Sequence, residues 1–66
     1  MKTDDVKQFA IQKFPDLAVK GSPMNLAYMT KLRGYRAAQP DYFQNPQWPW
    51  MLAMEVAAAL QIKPLP

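Results

Sequence analysis

The sequence predicts an all-α fold, a bundle of three main helices over about residues 4–14, 23–38 and 46–62 in one small domain spanning 1–66. Three observations carry this expectation. Apolar residues recur at three- and four-residue spacing in each segment. Nine Ala stand against only three Val, two Ile and two Thr, and no Asn-Gly or Asp-Gly hairpin signal occurs. Seven Pro and two Gly punctuate the chain, most of them at or between the ends of the periodic segments.

The first helix is expected to start at Thr3 as N-cap, with Asp4 and Asp5 placing negative charge on the positive end of the helix dipole. Val6, Phe9, Ala10 and Phe14 then form its apolar stripe, and Gln8 and Gln12 its solvated face. Pro15 opens a short helical turn near 15–20 that Gly21 stops, because Gly accepts a positive φ at little cost. Ser22-Pro23 is a sharp start signal, a Ser N-cap followed by Pro at the first helical position.

The second helix aligns Met24, Ala27, Tyr28, Leu32 and Tyr35 on one stripe. Tyr35 stays in phase across Gly34, so the helix is expected to continue to Ala38 rather than close at Gly34 behind Lys31 and Arg33. Residues 39–49 hold three Pro and several aromatics and read as an ordered loop. Asn45-Pro46 offers a start for the third helix, which tolerates Pro49 in its first turn and ends at Ile62 before Pro64.

The chain has no Cys and no His and only one Ser. A thiol nucleophile, a Ser-His pair and a Cys/His zinc site are therefore all outside its means. Asp16, Asp41 and Glu55 lie on separate segments with no acid-base pairing, and no Gly-rich phosphate loop occurs, so neither catalysis nor a cofactor is expected. Eight Lys and Arg against five Asp and Glu leave a net charge of +3, which favours anionic partners. No apolar run follows Lys2, so no secretory signal is read, and the absence of Cys fits a reducing compartment. The expected location is the cytoplasm. The apolar stretch from Trp48 to Ile62 is shorter than the ~20 residues that cross a bilayer, so no membrane partner is expected.

Four features point to binding. A turn of about 100° per residue brings Leu26, Met29, Arg33 and Arg36 to the back of the second helix, an apolar face rimmed by guanidinium groups. Cover by the Leu17/Val19 segment accounts for the same face equally well. Tyr42, Phe43, Trp48 and Trp50 crowd into nine residues and include the types most often used as binding anchors, although a lid over the core explains them too.

The third helix is apolar nearly all round, with only Glu55 and Gln61 polar between Trp50 and Ile62. Such a helix asks for cover on every side. Small Ala53 and Ala57, one turn apart, would let two copies approach closely, so a homodimer through 46–62 is one expectation. Finally, the short turn, Gly21 and the Ser-Pro-capped helix resemble a helix-turn-helix, which would use 23–38 to read duplex DNA. On that alternative Ser22 meets phosphate, Asn25 an adenine edge, and Lys31, Arg33 and Arg36 phosphate or guanine. Polar Lys20 and Ser22 beside Gly21 fit the motif poorly. The leading expectation is a small non-enzymatic regulator that binds another protein, a modulator or inhibitor, with DNA binding as the alternative.

Overall fold

In a computed structural model that describes residues 2–66, the chain forms three helices and two 3₁₀ turns, with no strand among those residues. Helix α1 spans Thr3–Lys13, α2 Pro23–Ala38 and α3 Trp48–Leu60. The 3₁₀ turns cover Pro15–Ala18 and Pro40–Gln44. The all-α bundle read from the sequence is therefore the fold.

The boundaries of the first and third helices move by one or two residues, each for a local reason. Thr3 is inside α1 rather than its cap. The N-cap position falls on Lys2, whose carbonyl accepts the Val6 N–H at 3.1 Å with no side-chain bond. Phe14 closes the helix as C-cap, its N–H reaching the Ala10 carbonyl at 2.8 Å while its ring is buried. The α2 boundaries agree with the sequence at both ends, Gly34 lying inside the helix.

The expected loop 39–49 contains the second 3₁₀ turn, and α3 begins at Trp48, not at Pro46. Asn45 spends its polar groups on the turn before the helix: its side-chain oxygen accepts the Gln47 N–H at 2.9 Å and its carbonyl the Trp48 N–H at 3.0 Å. Pro49 then occupies the first turn of α3, where the missing N–H costs nothing. At the other end α3 stops at Leu60, because Gln61 adopts a left-handed conformation, φ 58°, and Ile62 N–H reaches back to the Ala57 carbonyl at 2.8 Å. This is the helix stop usually made with Gly.

Helix α3 is the hub. Both α1 and α2 pack against it and scarcely touch one another. The core joins Ala10, Phe14 and Met24 to Trp48, Leu52, Ala53, Val56 and Ala57. A polar buckle fastens α2 to α3: Tyr35 Oη donates toward Glu55, 2.8 and 3.0 Å from its two carboxylate oxygens, and Lys31 Nζ lies 3.3 Å from one of them. Hydrogen bonding to Glu55, ahead of burial and the nearby charges, raises the Tyr35 phenol above its ordinary pKa.

Cover for α3 is incomplete. Its inward face is buried, whereas Met51 and Met54 remain 41% and 42% exposed on the opposite side, with Ala58 beside them. Within one chain, that side of α3 has no cover. Ala53 and Ala57 are 0% and 2% exposed, so the small-residue stripe expected to join two copies is used inside one chain. No helix among the described residues is long and apolar enough to cross a membrane.

Candidate functional site on the outer face of α2

The connector between α1 and α2 builds the site from below. Ser22 Oγ accepts the Asn25 N–H at 3.1 Å, capping α2, and donates to the Asp16 carbonyl at 2.7 Å. Asn25 Nδ2 donates to the Leu17 carbonyl at 2.8 Å, and its Oδ1 faces the Gly21 N–H at 3.4 Å. Gly21 makes the reversal at φ +85°, a region that side chains disfavour. One serine and one asparagine thus latch the connector to the first turn of α2.

This latch changes the reading of the DNA-facing residues. Ser22 and Asn25 have their hydrogen bonds within the chain, and residues 15–20 hold a four-residue 3₁₀ turn where a helix-turn-helix needs a first α-helix. Lys31 pairs with Glu55, and the Arg36 guanidinium lies 5.8 Å from the Phe43 ring centre. Of the five residues of that alternative, Arg33 alone has no internal partner among the described residues.

Above the latch lies the exposed face. Leu26 is 58% exposed and Met29 39%, next to Arg33 on a shallow concavity of about 430 Å³ that Lys20 and Thr30 border. Neither apolar side chain belongs to the core cluster. Cover by the Leu17/Val19 segment is not what the structure shows: Leu17 packs on the core, and Val19 is itself 53% exposed. Arg36 shares the helix face but turns its guanidinium toward the aromatic loop.

The aromatic loop is a lid. Tyr42 stacks on Tyr35 with ring centres 4.1 Å apart and planes 3° from parallel. Phe43 meets Tyr42 and Trp48 edge-on at 5.6 and 4.8 Å. Trp48 is buried, and Trp50 is half-buried against Phe9 and Phe14 at 5.0 and 5.7 Å. Tyr42 and Phe43, half-buried, and Trp48, buried, pack over the core, which leaves less of their surface for the docking expected of them. Burial and the Glu55 charge push the Tyr42 phenol upward; burial, then Tyr42, pushes that of Tyr28 to about 12.

Sequence reasoning missed one concavity. Because α1 and α2 both rest on α3 and scarcely touch one another, a groove of about 240 Å³ opens between them, floored by Trp48, Ala10 and Leu17 and walled by Ile11, Met29 and Leu32. Lys7 stands at its edge, with Nζ 5.4 Å from the Trp48 ring centre. The i, i+4 spacing of Lys7 and Ile11 was the available signal, but it points to this groove only once α2 is placed. Comparison with protein-family models, curated proteins and solved structures finds no match.

Proposed function

We propose that this chain is a small non-enzymatic regulator that binds another protein through the outer face of α2, centred on Leu26 and Met29 and rimmed by Arg33 and Lys20. The observation that carries this reading is the 58% exposure of Leu26 next to the hydrogen-bonded Ser22/Asn25 latch, although the fold gains no core packing from it. Such a face combines what an interface centre and rim use: an aliphatic anchor, an adaptable thioether, and a planar guanidinium able to make forked bonds to a carboxylate. The two cations select a partner whose facing surface is apolar and acidic. Trp48, Tyr42 and Phe43 support this face by fixing the bundle.

The test is a photo-crosslinking amino acid placed at position 26 or, as control, at 54, in cells that express the chain. The reading expects one discrete adduct from position 26 that disappears in the Met29→Asp Arg33→Glu background while helicity stays unchanged. Equal adducts from both positions, or an adduct indifferent to those changes, would refute it. A duplex-DNA complex whose affinity falls steeply with salt, by about −0.9 in log–log slope per phosphate contacted, would instead establish the nucleic-acid alternative.

A further inference from the structure

We infer that the groove between α1 and α2 is a binding site for a small amphipathic monocarboxylate, its apolar body lying on Trp48 between Ile11 and Leu32 and its carboxylate meeting Lys7. The groove shares Met29 with the proposed protein-binding face, but the inference does not depend on that reading.

Shape argues first. Two helices that both rest on α3 but not on each other leave a furrow whose walls belong to the scaffold, so the space exists before any ligand arrives. At about 240 Å³ it exceeds the ~150 Å³ that holds one benzene ring and falls below the ~300 Å³ at which drug-sized sites begin. A single ring with a short chain, or an alkyl chain of about eight carbons, is the matching size. Leu17, drawn onto the core by the connector, supplies part of the floor.

Charge argues second. Every wall and floor residue other than Lys7 and Tyr28 is apolar, and no Asp or Glu lines the groove. Lys7 has no ion pair among the described residues, and its ammonium is held over the Trp48 ring, the floor of the site. A cation at the edge of an otherwise apolar groove without a counter-charge selects for an anion on a greasy body. The same arrangement selects against amines, whose charge Lys7 repels. The Tyr28 phenol stays protonated at neutral pH, so it adds no competing negative charge.

Octanoate and its neutral counterpart octanamide provide the test, titrated into the isotopically labelled protein while methyl and indole resonances are followed. Octanoate is expected to give saturable shifts confined to Ile11, Leu17, Leu32 and the Trp48 indole, with a Kd on the order of 1 mM. Octanamide is expected to bind about threefold more weakly, the scale of one partly exposed ion pair. In Lys7→Gln, a change at an exposed position that leaves the core intact, the two ligands should bind alike. Shifts scattered over the surface, equal affinity of acid and amide for the unaltered protein, or a preference for the acid that survives Lys7→Gln would each overturn the assignment. Lys7→Gln should leave crosslinking at position 26 unchanged, so failure here and failure of the protein-binding reading are distinguishable.

Discussion

Replacing Ser22 by Ala separates a structural latch from a DNA-reading residue. The hydroxyl makes two bonds, accepting from Asn25 N–H at 3.1 Å and donating to the Asp16 carbonyl at 2.7 Å. Loss of a Ser N-cap costs about 1 kcal/mol, and the second bond, to a carbonyl at an exposed turn that water then solvates, contributes about 0.5–1 kcal/mol. The sum of roughly 1.5–2 kcal/mol corresponds to a fall in Tm on the order of 6–16 °C for a domain of this size.

Asn25→Ala removes the 2.8 Å bond to Leu17 and a 3.4 Å bond too long to count for much, a loss of about 1 kcal/mol that the better helix propensity of Ala partly offsets. Because both side chains fasten the same connector, the double variant should cost less than the two singles together. Circular-dichroism melts of the four proteins form the complete cycle. A Tm change under ~2 °C for Ser22→Ala, or strict additivity of the pair, would refute the latch and return both residues to the list of groups free to meet DNA.

Four further outcomes are expected. Trp48→Ala should cost ~3–5 kcal/mol, against a total of ~3–10 kcal/mol for a chain of this length, so its far-ultraviolet spectrum should show large loss of helix; retained helicity would mean that the indole is no part of the core. Gly34→Ala should raise stability by roughly 0.5–1 kcal/mol, since a β-carbon there meets nothing within 4 Å and the position is mid-helix. Gly21→Ala should lower it by about 1 kcal/mol or more at φ +85° although space is equally open, and chemical denaturation of both variants reads the contrast. Tyr28 should make the protein base-sensitive. Below pH 10 its phenol is protonated in both states, whereas between 10 and about 12 the unfolded chain loses the proton first, so stability falls with rising pH. After discounting for its partial exposure this is on the order of 1 kcal/mol, and melts from pH 9 to 12 should show a slope that Tyr28→Phe lessens, the rest coming from the raised Tyr35 and Tyr42 phenols.

Local chemistry was legible in the sequence, and choices made by packing were not. Ser22-Pro23 marks the start of α2 correctly because a cap and a fixed φ act within one turn. Pro46 and Pro49 both satisfy the rules for a first turn, so local rules allow either start; burial of Trp48 and Pro49 goes with the later one. The same limit applies around α3, where Met51 and Met54 are as apolar as Leu52 and Val56, and periodicity cannot tell which pair faces inward. At the candidate site, Leu26, Met29 and Arg33 were readable as a face by angular position alone. That Arg36 leans on Phe43, that Tyr35 holds Glu55, and that Lys7 edges a groove all depend on contacts between different elements, beyond the reach of one helical turn.

That α3 is the hub orders events in time. Only Ala10, Phe14 and Met24 of the core cluster come before Trp48, so the first 47 residues have almost nothing to collapse upon until the last helix is available. Nascent turns in α1 and α2 can flicker on the sub-microsecond scale, but the barrier to folding is the arrival of α3 between them. A ribosome that has made residues 1–47 therefore carries a segment with little core of its own, and the decisive step is a single cooperative closure once α3 emerges.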